Sequence, residues 1–126
     1  MKKLYALGLV LALTAASHSM FALKSVSTAE FNTVLANNEY VVVDFYADWC
    51  GPCKAMKSTL GQVEKEYTNV TFVAVNIDNA SALANKFSVR SIPTVIFFKN
   101  GKEAARFVGS KPKSQIANKI KSIVNK

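Results

Sequence analysis

The chain predicts an α/β sandwich whose central sheet mixes parallel and antiparallel strands. Three observations carry that reading. Tyr40–Tyr46 and 69–76 are continuous β-branched and aromatic runs, the pattern of strands covered on both faces. A segment with helical spacing separates them, which gives a β-α-β unit. Near the C-terminus Lys99-Asn-Gly-Lys102 lies between two apolar runs, and Asn-Gly in that setting is a strong hairpin signal.

Each element follows in order. Lys2 and Lys3 precede an apolar run over residues 4–16, and small residues follow at Ser17, Ser19 and Ala22. That is the order of parts in a secretory signal peptide, and the run is shorter than the roughly 20 residues a membrane span needs. A cut after Ser19 has small residues at both key positions. A cut after Ala22 agrees better with where the folded domain begins. The alternative is an uncleaved anchor over residues 4–16, and the lack of a cysteine near the cut excludes a lipid-attached form.

The full chain has 126 residues with a net charge of +8, and residues 1–22 contribute only Lys2 and Lys3 to it. The remaining 104 residues carry 14 basic and 8 acidic groups, a charge of +6. One domain of that size can bury a core. The positive charges, Lys54, Lys57, Lys65, Lys86, Lys99 and Lys111 among them, are scattered and read as solvated surface. They form neither a basic block nor the aromatic-interleaved pattern of a single-strand binder, so nucleic acid is not an expected partner.

Ser27-Thr-Ala-Glu30 has the form of a capping box and opens a helix to about Asn37. The first buried strand follows and contains one charge, Asp44. A helix is expected from Pro52 to Tyr67, with Met56, Leu60, Val63 and Tyr67 on one face. After the second strand come a short helix over 80–86, a strand at 94–98, the hairpin and a strand at 103–108. A last helix after Pro112 carries Ile116, Ile120, Ile123 and Val124 on one stripe.

The two cysteines of the chain, Cys50 and Cys53, stand in Trp49-Cys-Gly-Pro-Cys-Lys54 where strand gives way to helix. Residues three apart in a first helical turn have β-carbons about 5–6 Å apart, close enough to join as a disulfide. Zinc needs about four ligands, and the single histidine, His18, lies in the export segment. Haem attachment would need histidine where Lys54 stands. A purely structural disulfide over so short a loop would constrain the unfolded chain little. A redox role is therefore favoured. Cys50 at the helix start is the expected nucleophile and Cys53 the resolving thiol.

The segment Val43-Asp-Phe-Tyr-Ala-Asp-Trp-Cys-Gly-Pro-Cys-Lys54, then Val89-Arg-Ser-Ile-Pro-Thr94, then Phe98-Lys-Asn-Gly101, resembles thioredoxin across residues 23–126. The resemblance implies the thioredoxin fold, a mixed sheet flanked by helices, and thiol-disulfide exchange with protein substrates. No cofactor is implied beyond a redox-active Cys50–Cys53 disulfide. Gly51 and Pro52 between the cysteines match the reducing members, as does a length without room for an inserted helical or dimerisation domain, so a monomer is expected. By the same resemblance Pro93 is cis, the Ile92 backbone pairs with substrate, Trp49 belongs to the docking surface and Gly109 lets a substrate backbone approach. Asp44 is then the buried group that moves a proton to or from Cys53.

Three departures stand against the family pattern. Ala74 replaces a lysine that often neighbours the aspartate, which would leave Asp44 without a cationic partner. Ser58 replaces a helix-kinking proline, and Tyr46 stands where many members have tryptophan. The expected function is reduction of disulfides in exported, periplasmic-type proteins, with electrons from a membrane thiol transporter. The alternatives are a thiol oxidant or isomerase in the same compartment, and a non-catalytic binding subunit.

Overall fold

The computed structural model describes residues 23–125. The expected signal segment, its two cleavage sites and the alternative anchor lie outside them. Among the described residues no helix is long and apolar enough to cross a membrane.

The elements run β1 (Lys24–Ser25), α1 (Thr28–Asn37), β2 (Tyr40–Tyr46), α2 (Gly51–Glu64), β3 (Thr71–Asn76), α3 (Ser81–Lys86), β4 (Thr94–Lys99), β5 (Lys102–Val108) and α4 (Lys113–Val124). They form one five-stranded sheet in the order β1-β3-β2-β4-β5. β1, β3 and β2 are parallel, whereas β4 and β5 are antiparallel to their neighbours. The sheet is thus mixed as the sequence implies, and β2 is its centre.

Alternation along β2 builds two cores. Val41, Val43 and Phe45 face α1 and α3, where they join Phe31, Leu83, Ile96 and Phe98. Phe87 and Phe98 meet edge to face at 5.4 Å, and Phe31 joins them in the same manner. Val42 and Tyr46 face the other way, toward Met56, Leu60 and Val63 of α2 and Ile116 and Ile120 of α4. Asp44 lies between Val42 and Tyr46 on the strand, so the pleat turns it to the side of α2 and α4.

Local rules place the ends of the elements. Ser27 Oγ accepts from the Glu30 amide at 3.2 Å, and Glu30 Oε1 accepts from the Ser27 amide at 3.4 Å, which completes the expected capping box. Asn100 and Gly101 both adopt positive φ, 51° and 77°, the conformation a two-residue primed turn requires.

Most boundaries fall within one or two residues of the sequence expectation, with β3 starting at Thr71 rather than 69, and the end of α2 differs most. α2 ends at Glu64 and leaves Tyr67 outside the helix. Amides there bond three residues back, Glu66 to the Val63 carbonyl and Tyr67 to the Glu64 carbonyl, and this tightens the chain out of α-geometry. Tyr67 still packs on the α2/α4 core, from a turn. The sequence pattern also omits β1, whose two residues are too few to show a period. Its pairing with Val73 and Ala74 makes it a strand.

Candidate active site at the β2–α2 junction

The backbone leaves β2 at Tyr46 and enters α2 at Gly51, with Cys50 as the N-cap residue. Pro52 occupies the first turn, where its missing N–H deprives the helix of nothing. Cys50 and Cys53 are joined as a disulfide with their Cα atoms 5.3 Å apart. The Cys53 amide donates to Cys50 Sγ at 3.2 Å, so the sulfur occupies the place of a capping oxygen. Cys50 is 5 % exposed and Cys53 1 %. Cys50 is therefore the less buried residue of the two, and the positive end of the α2 dipole favours negative charge on its sulfur.

The Ile92–Pro93 peptide bond is cis. Ile92 is half-buried and its carbonyl oxygen lies 3.9 Å from Cys50 Sγ, while Pro93 is buried. The Gly109 amide donates to the Pro93 carbonyl at 2.8 Å, which ties the end of β5 to this segment. Gly109 has φ 86°, and a β-carbon built on it would meet nothing within 4 Å. Its missing side chain thus leaves open space beside Pro93.

Trp49 is 71 % exposed, so its ring belongs to the surface and not to the core. Its indole N–H donates to Asp78 Oδ2 at 3.0 Å, which holds the ring at the mouth of the site. Val108 is 54 % exposed and pairs with Thr94, the residue after Pro93. Gly51 and Pro52 are exposed between the cysteines. Trp49, Gly51 and Pro52 thus adjoin Cys50 in the chain, the Ile92 carbonyl lies beside its sulfur, and the Thr94–Val108 and Pro93–Gly109 pairings tie the end of β5 to the cis-proline segment. The sequence reading omits Val108 and Asp78. The signal for Val108 is an apolar residue directly before a glycine, at the end of an otherwise polar-faced strand.

Asp44 is fully buried, and neither carboxylate oxygen has a hydrogen-bond partner among the described residues. Burial pushes its pKa from the ordinary 3.8 up to about 7, and the positive charge of Lys57 opposes the rise. A carboxyl in that range can hold or release a proton near neutral pH. Two sequence expectations are corrected here. Ala74 does stand directly across from Asp44 in β3, yet the aspartate is not without a cation, because Lys57 acts on it from α2. Lys57 is also not a freely solvated charge: it is half-buried with Nζ 3.2 Å from the centre of the Tyr46 ring.

Ser58 leaves α2 unbroken from Gly51 to Glu64. The Lys111 amide donates to Met56 Sδ at 3.4 Å and fastens the loop before α4 to the helix that carries the cysteines. Among the described residues no three His, Cys, Asp or Glu side chains gather to hold a metal ion.

Comparison with known proteins agrees with this geometry. The family model for thioredoxin matches residues 22–122. The chain is 44 % identical over 97 residues to the thioredoxin of Chlamydia caviae, an alignment covering 77 % of this chain and 94 % of that one. It is 43 % identical over 93 residues to the thioredoxin of Mycoplasmoides gallisepticum, covering 74 % and 93 %. Among solved structures, the thioredoxin of Plasmodium falciparum superposes with a TM-score of 0.74 at 36 % identity, over 79 % of this chain and 98 % of that one. The thioredoxin of Trypanosoma brucei brucei superposes with a TM-score of 0.76 at 26 % identity, over 87 % and 97 %.

Proposed function

Since the chain belongs to the thioredoxin family and is a protein-disulfide reductase that works through a redox-active disulfide, we propose that it reduces disulfides of exported proteins, with Cys50 as nucleophile, Cys53 as resolving thiol and Asp44 as proton carrier. The observation that carries the residue roles is the combination of a capping sulfur at Cys50 with an unpaired, fully buried carboxyl at Asp44.

The reaction balances as two displacements. The Cys50 thiolate attacks one sulfur of a client disulfide, forms a mixed disulfide and expels the other client sulfur as a thiolate. Asp44 takes the proton of Cys53, and the Cys53 thiolate attacks Cys50 Sγ. The Cys50–Cys53 disulfide forms and the second client sulfur leaves, so two electrons pass from the protein to the client. Trp49, Gly51, Pro52, Ile92, Pro93 and Gly109 hold the extended client segment. No group besides the two cysteines carries electrons in this scheme.

The export reading rests on the basic, apolar and small-residue order of residues 1–22. Outside the cytosol the surroundings are oxidising. The spent disulfide must then be reduced by a donor that draws electrons across the membrane, and a membrane thiol transporter is the class that fits. Thiol trapping in cells tests this function. The proposal expects Cys50 and Cys53 to be mostly reduced in the exported fraction, with the chain cut after Ser19 or Ala22. Mostly oxidised cysteines there would favour a thiol oxidant, and a protein found in the cytosol would overturn the export reading.

A further inference from the structure

Asp44, Tyr46 and Lys57 are brought together by two independent periodicities. Tyr46 lies two residues beyond Asp44 on β2 and so faces the same side of the sheet. Lys57 lies four residues beyond Cys53 on α2 and so follows it on one stripe of the helix. The stripe and the sheet face meet where Lys57 Nζ sits 3.2 Å from the centre of the Tyr46 ring. The ring itself is anchored, because the Tyr46 hydroxyl and Ser25 Oγ share a hydrogen bond of 2.7 Å. A half-buried lysine with its ammonium on a fixed aromatic face is a held charge.

We propose that Lys57, seated on Tyr46, is the counter-charge of Asp44 and sets the ionisation of that carboxyl, supplying from α2 what the neighbouring position on β3 lacks. Lys57 is a positioning residue, since it acts through Asp44 and not on the client. Its value to the reaction rests on the proton-carrying role given to Asp44 above.

The surroundings leave this role to Lys57. The residues across from Asp44 are Ala74 on β3 and Val95 on β4, both apolar. At α2 the two cysteines are joined as a disulfide, and Lys54 and Glu64 are exposed. α4 turns Ile116 and Ile120 inward; its Lys113 and Lys121 are exposed, and the Lys119 amine sits over Phe107. Lys24 of β1 is exposed and paired with Glu30. On β2 the Tyr46 hydroxyl is engaged by Ser25. The positive charge of Lys57 opposes the upward push of burial on Asp44. Without it the carboxyl would be mostly protonated at neutral pH and a poorer acceptor for the proton of Cys53.

The test is a carbon-13 NMR titration of the Asp44 carboxyl in the oxidised protein, on the wild type and on Lys57→Met, Lys57→Arg and Lys102→Met. The proposal expects Lys57→Met to raise the midpoint by about one pH unit, a tenfold change in the ratio of protonated to ionised carboxyl at a given pH. Lys57→Arg keeps the wild-type midpoint, and Lys102→Met, which removes an exposed charge at the hairpin, does not move it. A midpoint unchanged in Lys57→Met, or one that moves equally in Lys102→Met, overturns the proposal. If Lys57→Met does not fold, Tyr46→Leu removes the seat and must also raise the midpoint; no rise overturns the proposal. The rate of mixed-disulfide resolution separates the two readings. A moved midpoint with an unmoved pH-rate profile upholds the role of Lys57 and refutes the proton-carrying role of Asp44.

Discussion

The backbone N–H of Cys53 donates to the sulfur of Cys50 across 3.2 Å, so the residue that caps α2 is also the residue that would attack. The same amide and the positive end of the α2 dipole favour the thiolate once the disulfide opens. In the reduced protein at pH 7, Cys50 should be alkylated by iodoacetamide at least about tenfold faster than Cys53, which lies deeper at 1 % exposure. Peptide mapping after brief alkylation reads the ratio. Equal labelling would contradict the assignment.

Asp44 should make the oxidised protein less stable as pH rises. Its carboxyl titrates at about 7 when folded, against 3.8 as the ordinary value. Between those values the folded state holds a proton that the unfolded chain has lost, so stability declines through that window and stays lower above it. The full difference corresponds to about 4 kcal/mol, an upper bound. Asp44→Ala should therefore exceed the wild type by about 2 kcal/mol or more at pH 8 and lose that advantage near pH 4. Denaturant unfolding at the two pH values measures it, and a pH-independent difference would refute the buried-acid account.

Trp49 and Val108 should matter to clients and hardly at all to folding. Both are large apolar side chains left exposed, Trp49 next to Cys50 in the chain and Val108 on the strand end that pairs beside Pro93. Trp49→Ala and Val108→Ser are each expected to change stability by no more than about 0.5 kcal/mol, as exposed positions do. Each should raise the KM for a disulfide-bonded protein several-fold while leaving reduction of a small aromatic disulfide nearly unchanged. Equal losses on both substrates would place them outside the docking surface.

Gly109→Ala should cost about 1 kcal/mol of stability, because φ 86° disfavours any side chain although nothing stands in its way. The added methyl group would also project into the open space at Gly109 and should weaken protein clients more than small ones. Thermal unfolding and paired substrate assays check both parts.

The fold and the cysteine pair were legible because each rests on a local pattern. Tyr40–Tyr46 is a strand in the structure with the bounds its apolar run suggested, and Ser27 with Glu30 caps α1 as their spacing implied. What stayed hidden depends on contacts between distant segments. β1 is two residues long and exists through its pairing with Val73 and Ala74. Lys57 looked like one more surface charge, because nothing near it in sequence tells that Tyr46 lies under its amine. The grip of Asp78 on Trp49 joins residues 29 positions apart and was invisible for the same reason.

The most direct test of the account traps the mixed disulfide. Cys53→Ser, mixed with a disulfide-bonded client, should accumulate a covalent complex through Cys50, identified by mass spectrometry of the joined peptides. Cys50→Ser should accumulate none. Complexes formed through Cys53 in the Cys50→Ser protein, at a yield similar to that of Cys53→Ser, would contradict the division of labour between the two sulfurs.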